Sequence, residues 1–337
     1  MTTSGGNDVN ISMTRRALLA GVATLGLLGA VGEAVAEPIK LRFADSTTAD
    51  APRSVALVDI FAKQLGPDFV FEPYFGSTLY KQGTEIVAVQ RGNLEMALMP
   101  PSDFAKQVPA FSILTAAYLV RDAKHLKAIF DSEIGDEFKK MARDEMGVVV
   151  LAPAYYGTRH VNLRGEKKID KPENLSGVKL RMPGGEAWQF LGESIGANPV
   201  AMDYAEVYTG LQTGAIDAQD NPLPNDKLMK FHEVTDQIVL TGHNVGFGLL
   251  LIKADVFDAL TLEQQKNIQE AADAAFAWSD AEYVKQEAEL VEFFKGEGLD
   301  VYTPDIQAFR DYSNKKYLES PLSKDWPAGM IDRINAL

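Results

Sequence analysis

Arginines in short, turn-rich segments carry the chemistry that this sequence favours. Arg159 lies in the segment 157–160 (GTRH), and Arg181 lies two residues before Pro183. A guanidinium suits a carboxylate because its planar fork donates two parallel hydrogen bonds and stays charged when it is desolvated. Asn221, forty residues after Arg181, adds a neutral amide. These residues predict capture of a small anion, although either arginine could instead form a surface or interdomain ion pair.

The overall charge limits how such a site can be built. A chain of 337 residues with a formal charge of −14 repels anions at long range, so an anion site requires a few guanidinium groups focused at one place. The acidic balance excludes nucleic acid as a partner, and no run of lysines offers a contact to an anionic membrane surface. The length predicts two domains, each with its own core.

A serine hydrolase is the enzyme alternative. The segment 192–196 (GESIG) fits the G-x-S-x-G pattern around Ser194, which in hydrolases requires a strand before the serine. The preceding segment 186–191 has helical character instead, so we expect no catalytic residue.

Metal and cofactor sites also lack a motif. The four histidines are scattered without metal-ligand spacing, the chain has no cysteine, and no glycine-rich phosphate loop is present. We therefore expect no metal and no cofactor.

The first 36 residues have the features of an export signal. Arg15 and Arg16 precede an apolar run that ends near Val31, and an A-x-A cleavage signal ends at Ala36. The run is too short to span a bilayer, so we expect cleavage near Ala36 and a periplasmic protein. Twin-arginine and general secretory export both fit, and Met13 is an alternative start.

Apolar periodicity predicts an α/β fold. The segments 39–44 and 69–74 alternate as strands, and 54–65 has helical spacing. The continuous apolar run 148–152 is typical of a buried parallel strand.

A weak internal repeat relates 89–95 to 211–217 by a shift of 122 residues, with Pro100 and Pro222 at equivalent places. Each copy predicts a helix ended by glycine, then a short strand, then a loop that opens with proline. Two such units would place both loops at the carboxyl ends of their strands, where open α/β sheets bind ligands. Chance recurrence of a common helix ending is the alternative.

A long helix is predicted from Thr261 to Lys295. Thr261 and Gln264 form a capping box, Gly296 supplies the stop, and the segment between has neither glycine nor proline. Such a helix extends about 52 Å at 1.5 Å per residue, which is longer than one small domain. We expect it to cross both lobes unless it breaks near Trp278.

The order and spacing of several strings resemble the solute-binding subunits of tripartite ATP-independent periplasmic (TRAP) transporters, of the dicarboxylate-binding DctP type. These strings are 157–159 (GTR), 175–183 (LSGVKLRMP), 206–214 (EVYTGLQTG) and 219–222 (QDNP). The resemblance implies a two-lobed α/β periplasmic-binding-protein fold with a ligand cleft between the lobes and a long helix spanning both. We assign residues 37–158 and 247–286 to the first lobe, and 159–246 and 287–337 to the second.

The resemblance also implies the roles of the site residues. Arg181 is the expected carboxylate clamp, Asn221 its polar partner and Arg159 a second arginine, with Arg164 a weaker substitute. The other expected ligand contacts are Tyr204 from the second lobe and Ser46 and Ser102 from the first. Trp188 either stacks on a flat acid or packs between helices.

The expected function is reversible capture of a small organic acid by a monomeric protein and its delivery to the TRAP membrane permease. A binding protein that feeds a sensor would have the same site. Pro101 stands where sialic acid binders carry an acidic residue, and Pro222 where uronate binders carry a second asparagine, so neither ligand is favoured.

Overall fold

A computed structural model describes residues 37–337. The expected export signal, its cleavage site and both candidate start residues lie outside this range. None of the helices in residues 37–337 combines the length and the apolar character that crossing a membrane would require.

Nine strands of the described chain form one mixed sheet in the order β2-β1-β3-β8-β4-β7-β5-β6, with β9 paired to β8. They are β1 (Ile39–Ala44), β2 (Phe69–Tyr74), β3 (Met96–Met99), β4 (Val148–Leu163), β5 (Lys179–Met182), β6 (Asn198–Ala201), β7 (Ala218–Pro222), β8 (Gln237–Lys253) and β9 (Asp300–Tyr302). The predictions for β1 and β2 are confirmed to the residue.

The sheet has two similar halves joined by two long strands. In one half β1 lies between β2 and β3 and is parallel to both, and in the other β5 lies between β6 and β7 and is parallel to both. The long strands β4 and β8 run antiparallel to each other and connect the halves. The expectation of a parallel strand at 148–152 is wrong, because this run begins β4, which is antiparallel to both of its neighbours. The run is continuously apolar because both faces of the strand are covered.

The helices are α1 (Pro52–Ala56), α2 (Ala62–Gln64), α3 (Glu85–Gln90), α4 (Pro101–Ala105), α5 (Ala123–Phe130), α6 (Glu133–Met146), α7 (Glu186–Ser194), α8 (Val207–Thr213), α9 (Leu223–Leu228), α10 (Ala254–Asp258), α11 (Leu262–Gly296), α12 (Ile306–Glu319) and α13 (Met330–Asn335). A π-helical turn at Leu57–Phe61 joins α1 to α2, which accounts for the helical spacing over 54–65.

The internal repeat is a structural repeat. Helices α3 and α8 are followed by Gly92 and Gly214, both in the left-handed conformation, and then by β3 and β7. One detail differs from the prediction. Pro100 and Pro222 do not open loops but stand at the N-cap positions of the short helices α4 and α9. Pro101 and Pro224 follow in the first turns of these helices, where proline is well suited.

The long helix is confirmed as one continuous element, α11, with the predicted capping box at Thr261 and Gln264. Its first part, around Ile268, packs in a core cluster with Leu41 and Phe43 of β1. Its last part, around Phe294, packs with Ile238 of β8 in a separate cluster. The helix therefore contacts both halves of the sheet.

The C-terminal residues return to the half that contains β1–β3. Trp326 Nε1 donates to Ser112 Oγ at 2.8 Å, and Arg333 pairs with Glu137 at 2.6 Å. These contacts tie the end of the chain to the segment between β3 and β4.

Candidate functional site

A cavity lies between the carboxyl ends of the strands of the two halves. One wall comes from the segments after β1 and β3, and the other from the segments after β5 and β7. Six of the seven expected ligand contacts line it: Ser46, Arg159, Arg181, Trp188, Tyr204 and Asn221. The other lining residues are Asp45, Arg53, Gln82, Leu98, Pro100, Tyr156, Pro183, Asn225, Gly246 and Phe247.

Arg181, in β5, is a buried cation that has no carboxylate partner within the part of the chain that the structure describes. Its Nε donates to the carbonyl of Met202 at 2.8 Å and its Nη2 donates to Gln82 Oε1 at 2.9 Å. Among residues 37–337 it forms no ion pair, and the residue is only 1% exposed. Burial lowers its pKa to about 10, so it remains charged at neutral pH. A buried cation of this kind attracts an anion strongly.

Arg159, by contrast, is already paired. Its Nε donates to Asp220 Oδ2 at 2.7 Å and its Nη2 to Oδ1 at 3.1 Å, and both side chains are buried. His243 Nε2 lies 3.2 Å from the same Oδ2. Burial by itself would raise the pKa of Asp220, but the charge of Arg159 and the contact with His243 outweigh it, and the pKa lies well below the usual range. Asp220 is therefore an internal counter-ion for Arg159.

A second buried ion pair lies in the opposite wall. Arg53 Nε donates to Asp45 Oδ2 at 2.8 Å, and its guanidinium carbon lies 3.9 Å from the centre of the Tyr156 ring. Arg53 Nη1 also donates to the hydroxyl of Tyr283 in α11. Through these contacts Arg53 of α1 connects the residue that follows β1 with β4 and the long helix beside the cavity.

Two aromatic side chains present polar atoms that lack a partner. Trp188 Nε1 and the Tyr204 hydroxyl are buried and make no hydrogen bond within the described residues. The rings also contact the arginines: Trp188 lies 4.8 Å from the Arg159 guanidinium, and Tyr204 lies 5.6 Å from that of Arg181. Buried polar groups are normally hydrogen-bonded, so both atoms are free to bond to a molecule that enters the cavity.

Neutral polar groups complete the lining. Asn221 Nδ2 donates to Gln219 Oε1 at 2.5 Å, and Asn225 follows from the first turn of α9. Ser46, directly after β1, is half-buried. Amides and hydroxyls of this kind can donate to and accept from hydroxyl groups of a ligand.

Three residues considered from the sequence lie elsewhere. Ser102 is buried in α4 beside a separate cavity next to Lys106. Arg164 approaches Gly214 at the far end of β4. Ser194 is the last residue of α7, and its hydroxyl donates to the Leu191 carbonyl, so the strained strand-to-helix turn of a hydrolase nucleophile is not formed there.

The sequence reasoning missed Asp45, Arg53, Gln82 and Asn225 as lining residues. A signal existed for two of them. Asp45 adjoins the predicted loop residue Ser46, and Asn225 follows Pro222 in the repeat. Asp220 was within a matched string, but its role as counter-ion was not inferred.

The described residues contain no cluster of side chains that could form a metal site. Among residues 37–337, no group of three or more histidine, aspartate or glutamate side chains is arranged to hold a metal ion.

Comparisons with known proteins identify the family. The model of DctP, bacterial extracellular solute-binding protein family 7, matches residues 54–323. The sialic acid-binding periplasmic protein SiaP of Vibrio cholerae is 31% identical over 228 residues, which are 68% of this chain and 70% of SiaP. The chain belongs to the DctP family of TRAP periplasmic solute-binding proteins, which are not catalytic.

Solved structures agree in fold. A TRAP periplasmic solute-binding protein from Roseobacter denitrificans, with bound 3-deoxy-D-manno-oct-2-ulosonic acid, is 41% identical with a TM-score of 0.88, over 89% of this chain and 99% of that one. One from Xanthobacter autotrophicus, with bound β-D-galacturonate, is 28% identical with a TM-score of 0.79, over 88% and 99%. The expected two-lobed periplasmic-binding-protein fold is confirmed.

Proposed function

We propose that this protein captures a small organic acid with Arg181 as the carboxylate clamp and delivers it to the membrane permease of a TRAP transporter. The observation that carries the proposal is the buried Arg181 guanidinium, which faces the cavity without an ion-pair partner among the described residues. A carboxylate would supply the missing negative charge through charge-assisted hydrogen bonds.

The lining favours an acid that also carries hydroxyl groups. Trp188 Nε1, the Tyr204 hydroxyl and the Asn225 amide offer polar contacts beyond the clamp. The related proteins named above are described with sugar acids as ligands. This supports a sugar acid or a similar hydroxylated acid as the ligand here.

Capture requires both walls of the cavity. One charge-assisted hydrogen bond contributes about 1.5–3 kcal/mol, whereas micromolar affinity requires about 8 kcal/mol. Arg181 therefore needs further contacts, from Asn221 and Tyr204 in its own lobe and from Ser46 in the other. Closure of the lobes around the acid assembles these contacts, and the closed form docks on the permease.

The hinge that we propose lies where β4 and β8 pass between lobes, near residues 158 and 246. The lobe boundaries given from the sequence fall at these places. The β4–β8 register shifts between Tyr155 and Gly157 and again between Arg159 and Val161. Such bulges bend a strand locally and support a change of direction here.

A thermal-shift screen over monocarboxylates, dicarboxylates, keto acids and sugar acids identifies the ligand, because a bound ligand raises the melting temperature. Calorimetry of Arg181→Ala with the best acid then tests the clamp, and we expect no measurable binding by a folded protein. Arg164→Ala, outside the cavity, is the matched control and retains binding. If Arg181→Ala binds the acid with unchanged affinity, Arg181 is not the carboxylate clamp.

A further inference from the structure

The charges that line the cavity form a simple pattern. Of the described residues, four charged side chains line it: Asp45, Arg53, Arg159 and Arg181. Arg53 is paired with Asp45, and Arg159 is paired with Asp220 just behind the lining. Since each pair is neutral, Arg181 supplies the single uncompensated positive charge among the described residues that line the cavity.

We infer that the site takes a hydroxylated monocarboxylate and rejects dicarboxylates, and that Asp220 is the residue that sets this selectivity by neutralising Arg159. The inference rests on the proposed function and adds to it the number of carboxylates that the cavity accepts. Asp220 acts through Arg159 and is a positioning residue, since Asp220 itself does not line the cavity.

Desolvation gives the physical reason. A carboxylate that enters a buried site loses its hydration, and that penalty is offset when a charged partner and hydrogen bonds replace the water. Arg181 can do this for one carboxylate. A second carboxylate would meet a guanidinium already held by two hydrogen bonds from Nε and Nη2 to Asp220, with the Asp220 charge beside it.

The rest of the lining suits hydroxyl groups. Away from the two ion pairs and Arg181, the polar lining is neutral and consists of Ser46, Gln82, Tyr156, Trp188, Tyr204, Asn221 and Asn225. A hydroxyl both donates and accepts, so it can bond to the Trp188 N–H and to amide oxygens without bringing a charge into the cavity. The cavity therefore accepts a monocarboxylate whose other end is a hydroxyl group. It does not accept the corresponding dicarboxylate, in which that end is oxidised to a second carboxylate.

Matched pairs of acids test the selectivity in the wild-type protein. The pairs are gluconate and glucarate, galactonate and galactarate, and 4-hydroxybutyrate and succinate, in which a terminal hydroxymethyl group is replaced by a carboxylate. Calorimetry at about pH 8 keeps imidazole protonation from adding charge. We expect the monocarboxylate of a pair to bind at least about 100-fold more tightly, which corresponds to about 2.7 kcal/mol.

Two variants test the role of Asp220. Asp220→Asn leaves Arg159 uncompensated, and we expect the dicarboxylate-to-monocarboxylate affinity ratio to rise by about tenfold or more. The double variant Arg159→Gln/Asp220→Asn removes both charges, and the ratio returns toward the wild-type value. A purely structural role of Asp220 predicts no such return. Circular dichroism checks the fold of each variant.

The outcomes separate this inference from the proposed function. A dicarboxylate that binds as tightly as its partner and is lost in Arg181→Ala would overturn the selectivity and leave the clamp intact. An unchanged ratio in folded Asp220→Asn would overturn the role of Asp220. If Asp220→Asn does not fold, the wild-type ratio still decides the selectivity. Binding of none of the three monocarboxylates would also overturn it.

Discussion

Arg181 and Gln82 join the two walls of the cavity, since Arg181 Nη2 donates to Gln82 Oε1 at 2.9 Å. Arg181 belongs to β5, whereas Gln82 comes from the segment between β2 and α3 in the other half of the sheet. Beside this contact, Lys81 and Asp203 approach to 4.0 Å at the surface. The segment around Gln82 is thus in contact with the residue that we propose as the clamp.

Gln82→Ala tests whether this contact supports the closed form. Loss of one hydrogen bond to a charged group removes about 1 kcal/mol or more, so we expect acid binding to weaken by about fivefold in calorimetry. Lys81→Ala is the matched control, because its exposed ion pair contributes little. Tighter binding by Gln82→Ala would mean that Gln82 competes with the acid for Nη2.

Tyr204→Phe tests whether the unpartnered hydroxyl of Tyr204 contacts the ligand. Removing a buried hydroxyl that has no partner in the described chain should leave the free energy of unfolding unchanged or raise it. The same change should weaken acid binding by about fivefold to tenfold if the ligand bonds to the hydroxyl. Tyr317→Phe removes another unpartnered buried hydroxyl, outside the cavity lining, and should not alter affinity.

Glu287→Ala tests the anchoring of β4 by the long helix. Glu287 accepts hydrogen bonds from the Thr158 backbone N–H at 2.5 Å and from the Tyr155 hydroxyl at 2.7 Å, at a register shift of β4. We expect a loss of about 1–3 kcal/mol in the free energy of unfolding, measured by urea titration, because a buried donor loses its acceptor. Glu289→Ala, exposed two residues further along α11, should change stability little.

Glu85→Gln tests a pH dependence of stability. Burial, with smaller contributions from Asp103 and Asp45, raises the pKa of Glu85 from 4.5 to about 8. The folded state therefore binds the proton more tightly, and this stabilisation is complete below the unfolded pKa and is lost as the pH rises through about 8.

Glutamine stays neutral, so Glu85→Gln should match the wild type near pH 5 and exceed it by about 1–3 kcal/mol near pH 9. Urea titrations at both pH values give the comparison. Glu145→Gln, at an exposed position, is the control. A variant no more stable than the wild type at the higher pH would show that Glu85 ionises without penalty.

The sequence predicted elements whose signals are local. Strand β1 followed from period-two alternation, and α11 followed from helix formers between the capping box at Thr261 and the stop at Gly296. The repeat predicted equivalent units around β3 and β7. The antiparallel pairing of β4 could not be predicted in the same way. A continuous apolar run indicates that both faces of a strand are buried, but it does not indicate whether the neighbouring strands are parallel or antiparallel to it.

The ion pairs of the site could not be predicted from local sequence patterns. Arg159 and Asp220 are 61 residues apart, and Asp45 pairs with Arg53 rather than with a residue of the other wall. The sequence alone does not show which arginine lacks an ion-pair partner, because that depends on which carboxylate the fold places next to each guanidinium. The proposal of Arg181 as the clamp therefore began from the resemblance, and the structure adds that Arg181 has no carboxylate partner among residues 37–337.

A crystal structure with the acid found in the thermal-shift screen would show directly whether Arg181 binds the carboxylate of the ligand. We predict that the ligand carboxylate lies within hydrogen-bonding distance of the Arg181 guanidinium, while the Arg159–Asp220 ion pair remains intact. A carboxylate bound elsewhere in the cavity, with Arg181 contacting only Met202 and Gln82, would show that Arg181 is not the carboxylate clamp.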